Sequence, residues 1–207
     1  MRVGYEDCQC QGAVEARRKA ELKSSEADLK AEAERREKAY RAAGIKPRFI
    51  SAETAYDLPE CGGLYVVGPV GVGKTHLASA LAKKAVDAGT RRVRLVTGVD
   101  LLSHIRSSFN RESPETEDEI AERYGLCGLL VIDDLGKEQP TEFARQVLYR
   151  IVNMRYEETL PLVVTTQYER DALIRRLGND ETAIAIVSRL AEMCQRLRLD
   201  GSDRRLS

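Results

Sequence analysis

The stretch Gly68-Pro69-Val70-Gly71-Val72-Gly73-Lys74-Thr75 decides the fold. It satisfies Gly-x-x-x-x-Gly-Lys-Thr at every constrained position, and its glycines let the backbone curl until successive amides point inward at an anion. A helix beginning at the end of the loop adds its N-terminal dipole to the same cradle. In such a loop the lysine reaches the β- and γ-phosphates and the threonine offers its hydroxyl to Mg²⁺, which gives Lys74 and Thr75 those roles. The flanks agree with this reading. Gly63-Leu64-Tyr65-Val66-Val67 is a short apolar run typical of a strand, and residues 74–88 place Leu77, Ala80, Leu81 and Ala85 on one side of a helix.

Outward from the loop, strand and helix signals alternate. Residues 92–97 read as a strand with arginines on a partly exposed face, 100–109 as a helix, and 110–119 as a polar loop leading into another short helix. Residues 128–133 are apolar up to a terminal acid, as in a strand covered on both faces. A helix over 141–157, a strand over 161–166, a helix over 184–196 and a turn at 200–203 complete the pattern. Together they predict a three-layer α/β domain with a central parallel sheet. Ahead of it, residues 13–43 are dense in Ala, Glu, Lys and Arg and contain neither Pro nor Gly, so one long charged helix is expected, closed by Gly44. Pro47 then ends any helix. The division expected is an N-terminal extension over 1–45 that packs on the domain or engages a partner, and an ATPase domain over 46–207.

Two further segments carry chemistry. Leu129-Leu130-Val131-Ile132-Asp133-Asp134 ends a strand on two acids. After a P-loop, the first acid at such a place helps hold magnesium, the role read for Asp133. Asp134 is placed to orient or deprotonate the attacking water, although one acid alone after a strand serves equally as a cap. Thr165-Thr166-Gln167 ends the next strand, where ligands bind in open parallel sheets. Gln167 is read either as a contact to the water or γ-phosphate or as an ordinary loop residue.

Charge excludes little, because 33 Lys and Arg balance 33 Asp and Glu. Locally, 14–48 holds 11 basic and 7 acidic residues, and 112–122 holds six acids and no base. Of five cysteines, Cys127 and Cys194 lie among apolar neighbours and read as reduced core residues. Cys8-Gln9-Cys10 is spaced more tightly than a zinc knuckle and has no second pair nearby. With no apolar run of membrane length and no apolar core near Met1, the expected location is cytoplasmic.

With these motifs in order, the chain resembles the AAA+ ATPases of the bacterial helicase-loader and transposition-helper family, the DnaC, DnaI and IstB type, over roughly residues 45–205. The phosphate loop continues as His76-Leu77-Ala78, like the family's form of the motif, which adds His76 to the nucleotide contacts. Leu130-Val131-Ile132-Asp133-Asp134-Leu135-Gly136 is similar to its acidic motif, in which a second Asp is common. Gln167 stands where the family carries a γ-phosphate sensor, normally Asn. Ser188-Arg189-Leu190 resembles the arginine-finger segment, so the resemblance implies that Arg189 enters a neighbouring subunit's site within an ATP-dependent homo-oligomer. Gly201-Ser202-Asp203-Arg204-Arg205 resembles a C-terminal segment that makes Arg205 a sensor in its own subunit.

The resemblance further implies ATP/ADP and Mg²⁺ as cofactors, single-stranded DNA as a ligand with Arg106 and Arg111 as first contacts, and a replicative helicase as partner. The expected function is an ATP-dependent helicase loader; the alternative is a transposition helper that binds target DNA and recruits a transposase. Loaders of this kind carry an N-terminal extension, often with zinc-binding cysteines, of which Cys8 and Cys10 are a candidate remnant. A small-molecule kinase fits less well, since Arg175-Arg176 is the only compact basic pair available for a lid. A scaffold without turnover fits poorly with Lys74, Thr75, Asp133 and Asp134 all present.

Overall fold

The computed structural model describes residues 11–59, 62–108, 115–137 and 139–203. The chain divides after Ala39 into two compact units. The first consists of the body of helix α1 (Gln11–Ala42), whose Val14, Leu22 and Leu29 are exposed. Such a helix has no apolar stripe to bury, and rests on intrinsic propensity and on pairs such as Arg36 with Glu32, 2.7 Å apart.

The last turn of α1 lies in the second unit. The Gly44 amide donates to the Arg41 carbonyl and the Ile45 amide to that of Tyr40, each at 3.0 Å, with Gly44 at φ +91°. This is a Schellman cap, completed by the two buried side chains of Tyr40 and Ile45. Gly44 is required twice over, because a Cβ there would also lie 2.1 Å from the Leu95 carbonyl oxygen.

Five parallel strands form the sheet: β1 (Gly63–Val67), β2 (Val93–Thr97), β3 (Leu129–Asp133), β4 (Leu162–Thr166) and β5 (Cys194–Arg198), in the order β2-β3-β4-β1-β5. Helix α2 (Lys74–Asp87) covers one face with Leu77, Ala78 and Leu81, joined by Tyr40, Ala43 and Ile45. The other face carries α3 (Gly98–Ser107), α4 (Glu117–Gly125), α5 (Glu142–Glu157), α6 (Arg170–Leu177) and α7 (Glu181–Met193). Along β1, Leu64 and Val66 face the first layer while Tyr65 and Val67 face the second. A strand used on both faces must be apolar throughout, which is why it was visible in the sequence. The three-layer α/β fold is therefore as expected.

Three local expectations need correction. Helix α3 starts at Gly98, since Thr97 caps it by accepting from the Asp100 amide at 3.0 Å. Helix α6 was not foreseen; it buries only Leu173 and Leu177, each contributing roughly 1.5–3 kcal/mol, and is too short to persist alone. The helix expected over 184–196 ends at Met193, and Cys194 opens β5, which pairs with β1 from Gly63↔Cys194 to Val67↔Arg198. No Gly or Pro marks that change, and ladder bonds to β1 override the helical propensity of Gln195 and Arg196.

Beneath the sheet's lower edge lies Arg155, fully buried on α5. Its guanidinium donates to the carbonyls of Tyr124 (3.0 Å), Gly125 (3.2 Å), Cys127 (2.9 Å) and Pro161 (2.5 Å). It thereby ties the end of α4 to the segments that lead into β3 and β4. Cys127 and Cys194 are buried free thiols, as expected.

Candidate functional site

Sheet order decides where chemistry gathers. β1, β3 and β4 lie together at the sheet's centre, so the phosphate loop, the acid pair and Thr165-Thr166 all emerge at one carboxyl edge, where parallel sheets bind ligands. The loop joins β1 to α2 with Gly71 at φ +80° and Gly73 at φ +103°, conformations that L side chains rarely adopt. Lys74 is 5% exposed, and its Nζ donates to the carbonyls of Gly68 at 2.8 Å and Pro69 at 2.7 Å. The cation thus folds back across the loop whose concavity it completes.

Asp133 is buried at the tip of β3. Its Oδ1 accepts from Thr165 Oγ1 at 2.6 Å, and Thr75 lies near enough to favour its charged form. Thr165 Oγ1 in turn accepts from the Asp134 amide at 2.9 Å, which helps hold Asp134 at φ +56°. One threonine on β4 therefore fixes both acids. Sequence reading gave Thr165 no such part, because its role depends on β4 lying beside β3; a hydroxyl at the end of a central strand was the available signal.

A cleft of about 320 Å³ brings Val70, Gly71, Gly73, Lys74, Thr75 and His76 together with Asp134 and Gln167. Arg48, Phe49 and Lys137 also line it, and none of these three was singled out from the sequence. Gly68 and Pro69 meet the Lys74 ammonium through their carbonyls, and Val72 is buried behind the loop.

Arg189 lies elsewhere, on α7. Its Nε donates to Asn153 Oδ1 at 2.7 Å and its NH2 to Tyr149 Oη at 3.0 Å, with the guanidinium 4.8 Å from the Tyr149 ring centroid. The structure thus does not bring Arg189 into this cleft. Arg106 donates to Leu102 within its own helix at 3.2 Å. Arg205, Arg111, Cys8 and Cys10 lie outside the described residues. Among the described residues no group of three or more His, Cys, Asp or Glu forms a metal cluster, and no helix is long and apolar enough to cross a membrane.

Burial, chiefly, raises the Asp133 pKa, and the neighbouring Asp134 charge adds to it; the bond from Thr165, nearby Thr75 and the Lys74 charge oppose the rise. The folded chain therefore holds this proton more tightly than the unfolded one. The stability so gained is fully present below the ordinary aspartate pKa and is lost as pH rises through the folded value. Burial thus penalises the charged carboxylate, and Asp133→Asn, which removes the charge, is expected to raise the Tm by about 2–4 °C, the shift that a typical stabilising change of about 1 kcal/mol produces in a chain of this size. Thermal melts at pH 7.5 check this, and a lower Tm for the variant would show that the carboxylate is not strained.

The family described as IstB-like ATP binding protein matches residues 9–207. The replicative helicase loader DnaC of Buchnera aphidicola subsp. Baizongia pistaciae is 34% identical over 88 residues, 42% of this chain and 35% of that protein. The insertion sequence IS21 putative ATP-binding protein of Pseudomonas aeruginosa is 29% identical over 141 residues, 68% of this chain and 51% of that one. The chain thus aligns with between 35% and 51% of these two relatives' lengths. Among solved structures, the crystal structure of the DnaC helicase loader superposes with a TM-score of 0.60 at 23% identity, covering 75% of this chain and all of that one, which is a likeness of fold.

Proposed function

The chain belongs to the family of IstB-like ATP binding proteins, and from that membership we propose that it is a Mg²⁺-dependent ATPase that controls a homo-oligomer and delivers a replicative helicase to single-stranded DNA. The observation that carries the reading is the meeting of Lys74, Thr75, Asp134 and Gln167 in one cleft, with Asp133 buried within the influence of Thr75 and Lys74. Loop amides and Lys74 hold the β- and γ-phosphates of ATP. Gly68, Pro69, Val70, Gly71, Val72 and Gly73 supply the backbone of that cradle, and His76 borders it. Asp134 orients the attacking water or takes its proton, and Gln167 contacts the γ-phosphate side. Arg205 would read the nucleotide in its own subunit.

Thr75 and Asp133 would hold magnesium. A hydroxyl and a carboxylate side by side are hard oxygen donors suited to that ion, and phosphates and waters commonly complete its shell. Bound there, the ion neutralises charge on the phosphates.

Arg189 is assigned to a neighbouring subunit's site. Its position away from its own cleft and its clamp by Tyr149 and Asn153 suit a side chain held in place for presentation across an interface. Mixing Arg189→Ala subunits with Asp134→Asn subunits is expected to restore part of the turnover that each lacks alone. No recovery at any ratio would remove the role in trans.

A transposition helper is the second reading. It is favoured by the IS21 relative, which aligns over more of this chain than the DnaC relative does. Affinity capture with the whole chain and ATP separates the two. Retention of a replicative helicase is expected; retention of a transposase in its place would give the second reading the stronger claim. The N-terminal extension, residues 1–45, is the segment proposed to choose between them, and deletion of residues 1–39, which spares the buried Tyr40, Ala43 and Ile45, is expected to abolish capture while leaving nucleotide binding intact.

A further inference from the structure

The chain returns to the phosphate loop after β5. The Leu199 amide donates to the Val67 carbonyl at 2.8 Å, continuing the β1 ladder to the mouth of the loop. A Cβ built on Gly68 would lie 2.3 Å from the Leu199 carbonyl oxygen, so the two backbones are in direct contact. Four residues later the side chain of Asp203 reaches the loop's crown. A Cβ on Gly71 would fall 1.9 Å from Asp203 Oδ1 and 2.0 Å from its Cγ, which sets the carboxyl group against the Gly71 Cα. Gly71 lines the same cleft as Gly73, Lys74 and Thr75. Residues 199–203 therefore run as a strap along the loop, ending on an acid.

We propose that Asp203 is an affinity-determining residue of the nucleotide site: its carboxylate competes with the nucleotide's phosphates for the crown of the loop, so that ATP must displace the strap to bind. The proposal rests on the nucleotide reading of the cleft. Its physical basis is charge. The loop amides, the α2 N-terminus and Lys74 form a cradle for negative oxygen, and a carboxylate held against Gly71 sets a second negative charge at its crown. Two anions this close to one cradle repel, and each weakens the other's hold. The coupling is reciprocal, so a site filled with ATP loosens the strap as much as the strap weakens ATP. Gly71 has a further reason to be glycine, since any side chain there would evict Asp203.

The test measures binding of a fluorescent ATP analogue with Mg²⁺ to the full chain. Asp203→Asn is expected to bind about three- to tenfold more tightly than wild type at low salt, the scale of one removed charge near a solvent-exposed site. The gain should shrink as salt rises toward 1 M, where screening reaches only about 3 Å. Asp203→Glu keeps the charge and should stay within about twofold of wild type. Backbone amide exchange at 199–203 is expected to speed up when ATP is added to wild type. An unchanged affinity for Asp203→Asn, or slower exchange with ATP, overturns the proposal. A weaker affinity also overturns it, by making Asp203 a ligand rather than a competitor. If Lys74→Ala abolishes binding while Asp203→Asn changes nothing, this inference alone fails; if Lys74→Ala binds normally, the reading of the cleft fails with it. A Tm for Asp203→Asn within about 2 °C of wild type confirms that folding is not what is measured.

Discussion

Lys74→Ala is expected to lower ATP affinity by at least about 100-fold, since it removes a buried cation that reaches across the phosphate loop. The Lys74 ammonium donates to the carbonyls of Gly68 and Pro69. Phosphate oxygens would replace those neutral acceptors with charged ones, adding the attraction of an ion pair to each hydrogen bond. Lys74→Arg is expected to fail almost as badly, because a planar fork cannot occupy a pocket shaped for a single ammonium. Titration with a fluorescent ATP analogue checks both variants, with circular dichroism to establish folding. Affinity for Lys74→Ala within about threefold of wild type would sink the site assignment.

The second large effect concerns stability. Arg155→Ala is expected to cost about 3–5 kcal/mol, because it opens a cavity and leaves four carbonyls without their donor in a buried setting. In a chain of this size that lowers Tm by about 6–20 °C. Burial pulls the guanidinium pKa down, and nearby Cys127 only partly opposes this. The residue thus stays charged at a desolvation cost that its carbonyl partners offset. Arg155→Met spares the cost of burying a charge and fills most of the volume, so it should lose less than the alanine variant. Equal melting temperatures for wild type and Arg155→Ala would show that the carbonyls find water instead. Because the same guanidinium anchors the segments leading into β3 and β4, the register that sets Asp133 beside Thr165 is expected to loosen with it.

Sequence legibility followed how local each determinant is. The phosphate loop is a contiguous chemical unit, and β1, β3 and β4 are apolar because both their faces are covered; each announces itself in a short window. β5 and α6 do not. Gln195, Arg196 and Arg198 are exposed at the outer edge of the sheet, so their polarity hides a strand that exists only because β1 is beside it. The site divides in the same way. Lys74, Thr75, Asp133 and Asp134 belong to linear motifs, and Gln167 follows a strand that lies beside the phosphate strand, in the register Val67↔Thr166. Thr165 as the clasp of both acids, Phe49 and Arg48 at the cleft, and Asp203 against Gly71 all depend on segments distant in sequence meeting in space.

The junction between α7 and β5 has no linking residue: Met193 ends the helix and Cys194, at φ −117° and ψ 128°, is already strand. Chain length at that point is therefore fixed. One inserted residue would either turn α7 by about 100° and advance it about 1.5 Å, carrying Arg189 away from Tyr149 and Asn153, or slip β5 by one place against β1. A slip exchanges the faces of the strand, putting Gln195 where Cys194 is buried. Aligned relatives of this chain should accordingly vary in residue type across positions 189–198 but show neither insertion nor deletion there, a signature legible without any further structure.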